Sequence, residues 1–443
     1  MNLSTTPPEQ IQQPQKTKNH RRFRWYDFFI PLILTILALF VSIEVGLRIF
    51  YRLIPIQVCA ADDIIGNYIC QPYFVYDKPV RIGYRYQPGF KLEGMWDPAN
   101  PYLAAAGDET RPTGRSDAFW YSFQTDEMGF PNYEYEWRDQ YDIVVLGDSF
   151  TLPTAPRRWI ETLGEKTGKT TLALGASSWS TLNEEEALKL YGLDKNPEWV
   201  LLMFFEGNDI INVAQYLERR DSGLSWKEYD MQNVPLSRRL LTPHLARFFW
   251  EKLFPPPQVE PQKYRYPVTV STEVGEVQTV LKDIHLLPLS ADYDTLARSD
   301  EFAAVKASIL RMNEMVRAQN GRFLLVYIPS KEHVYWSRIW DPVDVNNILE
   351  RTVTVTLSDG DHGSLQWEPK YLSYETFNAN HNALERLMND FSAENNIEFL
   401  NLTPVFWQET IRQGELYHYA DPHWNQAGND LAAEAIYEYM QNH

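Results

Sequence analysis

Three short segments bring together residue types that could do chemistry. Gly147-Asp148-Ser149-Phe150-Thr151 places a hydroxyl directly after an apolar run. Glu206-Gly207-Asn208-Asp209 places a carboxamide after another, and Asp421-Pro422-His423-Trp424-Asn425 sets a carboxylate two residues ahead of an imidazole. A neutral serine is a poor nucleophile until a positioned base takes its proton. His423 is the expected base, and afterwards the acid that protonates a leaving alcohol. Asp421 can reach Nδ1 of that ring, fixing its tautomer and stabilising the imidazolium. The backbone N–H of Ser149 and the side chain of Asn208 are expected to hold the oxyanion of a tetrahedral intermediate. Each segment has an ordinary reading when taken alone. Gly-Asp-Ser is commonly a turn, Gly-Asn-Asp an Asx-type turn, and His423 or Asn425 a helix cap. Together they compose a serine-nucleophile site for acyl-ester chemistry.

Such a site needs a scaffold that converges its parts, and the pattern from residue 141 supplies one. Tyr141–Leu146, Thr170–Leu174, Trp199–Phe205, Phe323–Ile328 and Glu398–Asn401 read as strands. Arg157–Lys166, Asn183–Leu193, Glu301–Gln319, Asn380–Asn395 and Ala427–Gln441 read as helices between and after them. Alternation of this kind predicts a parallel sheet covered on both faces, a flavodoxin-like three-layer α/β/α sandwich of about five strands. Reactive groups then collect at the carboxyl ends of the strands, where the Ser149 and Asn208 segments fall. Residues 212–295, with Phe254-Pro255-Pro256-Pro257, interrupt the rhythm and read as an insertion, a lid or an acceptor-binding surface. Residues 51–140, rich in Tyr, Trp, Pro and Gly, read as a β-rich or irregular membrane-proximal region, with short strands over Val80–Tyr86 and Phe119–Thr125.

Over roughly residues 141–443 the sequence resembles the SGNH (GDSL-like) hydrolase superfamily, with the blocks in the family's order. Gly147-Asp148-Ser149 is similar to the nucleophile block, Gly207-Asn208-Asp209 to the Asn block, and Asp421 with His423 to the C-terminal block. The resemblance implies an oxyanion hole made by Ser149, Asn208 and a second-block glycine. That block is Leu174-Gly175-Ala176-Ser177-Ser178-Trp179-Ser180-Thr181, in which Ser178, not Gly175, aligns with the family's glycine; both are candidate donors. Glu206 stands where many members have Gly, and Asp-x-His where many esterases have Asp-x-x-His. The Asp-x-His-Trp-Asn ending is similar to membrane-associated members and to alginate-acetylation-type acyltransferases. Some of the latter place this block before the serine, and this chain does not. Pro329-Ser330-Lys331-Glu332-His333 also resembles a segment of those proteins; as residues following a strand, Lys331 and His333 are expected at the surface, with the crevice rim as the alternative.

The N-terminus adds a membrane. Lys16, Lys18, Arg21, Arg22 and Arg24 precede an apolar run from Phe28 to Phe50. As a helix it would extend roughly 34 Å, enough for the hydrocarbon core of a bilayer. The basic bias predicts a disordered cytoplasmic tail over 1–27, a span over 28–50, and everything beyond outside the cytoplasm. Glu44 and Arg48, four apart, can pair near the outer end. A cleaved signal peptide ending near Val58-Cys59-Ala60 is the rival reading. Cys59 and Cys70, the only two cysteines, could close a disulfide or stay as thiols.

The net charge of -18 argues against a nucleic-acid binder, which needs clustered Lys and Arg. No ligand-spaced His/Asp/Glu cluster or glycine-rich phosphate loop is present in the sequence, so neither a metal nor another cofactor is expected. The expected partner is an acylated carbohydrate or lipid, attacked by an esterase. An O-acetyltransferase modifying an extracellular polysaccharide is the alternative, and would need an acyl donor from a membrane partner. A non-catalytic glycan-binding surface protein is the reading from another class.

Overall fold

Five strands form one parallel sheet, its three central ones so apolar that neither side can be left in water. They are β1 (Ile143–Gly147), β2 (Thr171–Gly175), β3 (Trp199–Phe205), β4 (Arg322–Ile328) and β5 (Glu398–Asn401). In the computed structural model, residues 25–50, 54, 58, 68–69, 74–96, 119–254, 265–368, 372–419 and 421–443 are described. The strands lie in the order β5-β4-β3-β1-β2, all pairs parallel. This 2-1-3-4-5 order is the flavodoxin-like one, with its topological switch between β1 and β3.

Strand alternation sorts the side chains into two cores. Val144, Leu146, Leu202, Phe204, Leu325 and Tyr327 face one layer, packed under Thr181–Ala187, Asp209–Asp221, Asp300–Ala318 and Ala383–Glu394. Ile143, Val145, Leu201, Met203, Phe205 and Ile328 face the other, packed under Trp159–Thr167, Thr403–Gln413 and Gln426–Asn442. The three-layer sandwich expected from the sequence is therefore the fold observed. Helix starts are set by side-chain caps. Ser299 accepts from the Phe302 N–H at 3.1 Å, and Asn425 from the Gly428 N–H at 3.1 Å.

Several boundaries differ from the sequence expectation. The helix expected over Asn183–Leu193 is α-helical only for Thr181–Ala187. It then widens over Leu188–Gly192 and tightens over Leu193–Lys195. The helix expected over Asn380–Asn395 is Ala383–Glu394, preceded by a separate short helix, Tyr374–Asn380. The described residues of the expected insertion are packed against the rest of the fold. Helix Asp209–Asp221 crosses its start at 212 and covers the sheet. The hairpin of Arg265–Thr272 with Gly275–Lys282 and the helix Asp283–Ser290 then bury Val268, Val270, Leu281, Leu286 and Leu289 in the second core.

The described part of residues 51–140 contains two antiparallel pairs, Phe74–Tyr76 with Tyr84–Tyr86 and Lys91–Trp96 with Phe119–Gln124. Ahead of it runs the helix Trp25–Ile49. Within it Phe28–Ile49, 22 residues, is long and apolar enough to cross a membrane. Glu44 and Arg48 pair as expected, Arg48 Nε donating to Glu44 Oε1 at 3.0 Å. The tail before residue 25, the cleavage position beside Val58 and the Cys59–Cys70 pairing lie outside the described residues.

Candidate functional site

β1 ends at Gly147, and Ser149 opens a single tight turn over Ser149–Thr151. That turn is fixed by Asp148, whose Oδ1 accepts the Phe150 N–H at 3.0 Å. Gly147 pairs with Gly175 at the end of β2, and a Cβ on Gly175 would lie 2.3 Å from both the Gly147 carbonyl oxygen and Thr151 Oγ1. Gly175 is thus required by the close approach of β2 to the turn that carries Ser149.

The C-terminal segment reaches this turn from 274 residues away. His423 Nε2 lies 2.7 Å from Ser149 Oγ, and His423 Nδ1 lies 2.5 Å from Asp421 Oδ1. Because the Asp421 carboxylate can only accept, Nδ1 carries the ring proton and Nε2 is left to accept from the serine. Ser149 Oγ also lies 3.3 Å from Asp148 Oδ2; the nearer, better-placed partner for its single proton is His423. Burial raises the Asp421 carboxyl, but the His423 and Lys282 charges overcome it and hold the group well below the usual carboxylate range. Lys282 Nζ stands 3.8 Å from Asp421 Oδ2. Asn425, not His423, caps the last helix, so the ring is left to the site.

The loop carrying Asp421 and His423 is held from behind. The isolated bridge Tyr417–Trp424 closes it, and the His418 N–H donates to the His423 carbonyl at 3.0 Å. Lys331 Nζ donates to the carbonyls of His418, Tyr419 and Asp421 at 3.1, 2.9 and 3.2 Å. The surface expectation for Lys331 and His333 is therefore corrected: both are buried. The segment Lys331–Trp336 folds as a helix, capped by Ser330, that runs beneath the loop instead of out to solvent. There His333 Nδ1 meets the Glu206 carboxylate at 2.9 Å, and Ser330 donates to Glu206 from its N–H at 2.6 Å and its hydroxyl at 2.8 Å. Tyr327 donates its phenol to the same carboxylate. Burial raises Glu206, yet the His333 charge and these donors bring it below its ordinary value. The His333 ring is raised by Glu206 and Glu385 despite burial.

Asn208 stands at the N-cap position of the helix Asp209–Asp221 without a side-chain capping bond, its amide facing the Asp148 carboxyl. Ser178 has φ +63, a left-handed conformation that favours glycine. Its carbonyl accepts from Asn212 Nδ2 at 3.1 Å, so the loop is tied to the Asn208 helix. Beside Ser177 and Ser178 opens a cavity of about 220 Å³ walled by Tyr68, Phe74, Tyr76, Tyr84 and Trp226, with Gln215, Arg219 and Asp230 as its polar lining. Phe74 and Tyr84 are 5.0 Å apart by ring centroid, Tyr84 and Trp226 5.2 Å, and Arg219 pairs with Asp230 at 2.6 Å.

Beneath the nucleophile lie three fully buried carboxyls, Asp148, Glu184 and Asp209. Neither oxygen of Glu184 has a hydrogen-bond partner among the described residues. Burial, reinforced by the Asp148 charge, pushes Glu184 well above the usual carboxylate range; Asp209 is raised by burial, Glu184 and Asp148. The folded state therefore keeps protons that the unfolded chain releases. A group raised in this way contributes stability below its unfolded value, near 4.5 for Glu184, and loses it as pH rises toward its folded value. Glu184→Gln is expected to stabilise the fold by roughly 1–3 kcal/mol at about pH 7 and by little near pH 4. Thermal melts at the two pH values check this; an equal change at both would contradict it. Among the described residues, no group of three His, Cys, Asp or Glu side chains could hold a metal.

The structure brings together Ser149, Asp421 and His423, which the sequence put forward, with Asn208 beside them; the sequence named Lys331 and His333 without their buried partners, and did not single out Lys282. Lys331 carried a signal in its position three residues past the end of β4. Lys282 carried none, since it arrives on a hairpin that reads as insertion.

No family model matches the sequence, and neither does any curated protein. Solved structures similar to the chain include a putative GDSL-like lipase from Parabacteroides merdae, at 12% identity and TM-score 0.30, covering 69% of this chain and 98% of that one. An acetyl xylan esterase is similar at 12% identity and TM-score 0.28, covering 67% of this chain and 98% of that one.

Proposed function

We propose that the chain is a serine-dependent acyl-ester hydrolase acting on acylated glycan at a membrane surface. The observation that carries this is the continuous relay Ser149–His423–Asp421, at 2.7 and 2.5 Å. Ser149 Oγ adds to the ester carbonyl carbon as its proton passes to His423 Nε2. The oxyanion is held by the N–H groups of Ser149 and Ser178 and by the second amide hydrogen of Asn208, with Gly175 serving the packing. As the carbon–alkoxide bond breaks, His423 returns the proton to the departing sugar oxygen. Water, deprotonated by the same ring, then cleaves the acyl-serine ester and restores the hydroxyl.

The aromatic cavity beside Ser178 favours a carbohydrate over a lipid acyl chain. Flat rings with an Arg–Asp pair and a carboxamide at the rim suit a sugar ring, which offers C–H faces and a belt of hydroxyls. The test is acetate release from acetylated oligosaccharides and from p-nitrophenyl acetate by the full-length protein in detergent. Tyr76→Ala or Gln215→Ala should raise KM for the sugar ester about tenfold while sparing the aryl ester. Equal effects on both substrates, or none, would remove the sugar assignment. Acetate moved from the aryl ester onto an added oligosaccharide would make the protein a transferase, and no release by any route would favour a glycan-binding module.

A further inference from the structure

The helix Leu241–Leu253 takes no part in the sheet or the relay, and its N-terminus ends on the membrane-length helix. Glu44 accepts the Leu241 N–H at 3.0 Å, the Thr242 N–H at 2.9 Å and the Thr242 hydroxyl at 2.9 Å. Arg48 pairs with Glu44 at 2.8 Å and donates to the Arg239 carbonyl at 2.6 Å. A carboxylate inside an apolar span is costly unless its charge is neutralised and its lone pairs are filled. Here one acidic residue does both by capping a second helix, and it is 7% exposed. Ile54, Val58 and Leu241, with Leu47, Leu245 and Phe248, seal the junction.

The opposite side of the capped helix has no cover among the described residues. Phe249, Trp250, Leu253 and Phe254 are 53, 63, 74 and 58% exposed and share one face by helical spacing. Trp250 and Phe254 lie in tilted ring contact, 4.5 Å apart by centroid. The segment is basic in a chain of net charge -18: Arg238, Arg239, Arg247 and Lys252 stand against Glu251. Glu44 lies five residues before Ile49, the end of the long helix, so the cap sits roughly 7 Å below that end. An amphipathic helix lying in a bilayer interface buries its apolar face by about 5–10 Å, with aromatics at the headgroup level and cations toward anionic lipid.

We infer that Leu241–Phe254 lies in the membrane interface beside the span, with Phe249, Trp250, Leu253 and Phe254 immersed in lipid. The inference rests on the reading of Phe28–Ile49 as a membrane span. It also links the bilayer to the candidate sugar cavity, because Arg239, which anchors the helix to Arg48, donates to the carbonyls of Val234 and Met231 at 2.7 and 2.6 Å. Met231 ends the helix Trp226–Met231, whose Trp226 walls that cavity.

The test uses the full-length protein in vesicles of phosphatidylcholine and phosphatidylglycerol, with a p-benzoylphenylalanine photoprobe introduced at one position at a time. Trp250→p-benzoylphenylalanine is the test position. Ile36→p-benzoylphenylalanine samples the span, and Val274→p-benzoylphenylalanine samples an exposed turn of the soluble domain. Lipid adducts at 250 should match those at 36 and exceed those at 274 by at least about tenfold. Lipid adducts at 36 without excess at 250 would overturn the inference and leave the span intact. A protein adduct at 250 would overturn it in favour of a protein partner. Absence of lipid adducts at 36 would overturn the span itself, and the inference with it.

Discussion

Replacing His423 by alanine is expected to lower kcat for an aryl acetate by about 10,000- to 1,000,000-fold, or roughly 5.5–8 kcal/mol of barrier. The ring does two things no neighbour can replace: it takes the Ser149 proton and returns it to the leaving oxygen. Asp148 is the other group near that hydroxyl, but it lies 3.3 Å away and is pushed toward its neutral form by burial. Lys282 and Lys331 are cations and accept no proton. Ser149→Ala should cost about as much, and the double variant should be no slower than either single one, because the two residues act as a unit. Steady-state turnover of the three variants checks this. Additive losses would mean that Ser149 and His423 serve separate steps.

The second large effect is on folding. Glu206→Ala is expected to destabilise the protein by about 3–5 kcal/mol, since it strands a buried imidazolium and three donors, from Tyr327 and Ser330. The pH dependence has two limbs. The Glu206 contribution, from a depressed carboxyl, is lost as pH falls through its folded value; the His333 contribution, from a raised imidazole, is lost as pH rises through its own. Denaturant midpoints across pH check both limbs. Pairing Glu206→Leu with His333→Phe should recover much of the loss, because the stranded charge is gone. A single-variant cost below about 1 kcal/mol would show the pair to be incidental. Glu206 precedes Gly207 and Asn208, so the pair also sets where β3 delivers its carboxamide.

The sheet was legible because its central strands are buried on both faces and read as continuous apolar runs; Trp199–Phe205 was predicted to the residue. The relay was legible for a local reason: Asp421 and His423 are two residues apart, and that spacing alone lets the carboxylate reach Nδ1. The Glu44–Arg48 pair was legible by the same logic. What sequence left hidden depends on approach between distant elements. Lys331 reads as a surface cation until the loop of His418–Asp421 folds over it. Glu184 reads as the polar face of a helix until Asp148 and Asp209 close around it. Ser178 could be aligned with a glycine, but its left-handed backbone is a property of the folded loop. The helices of 226–253 were obscured by the charge and proline of the segment that carries them.

The central claim is that Ser149 is an activated nucleophile, and labelling by a fluorophosphonate tests it most directly. Intact-mass and peptide analysis of the full-length protein should show one adduct on Ser149, absent in Ser149→Ala and strongly slowed in His423→Ala. An unlabelled Ser149, or labelling at the same rate without His423, would contradict the relay on which the proposed function stands.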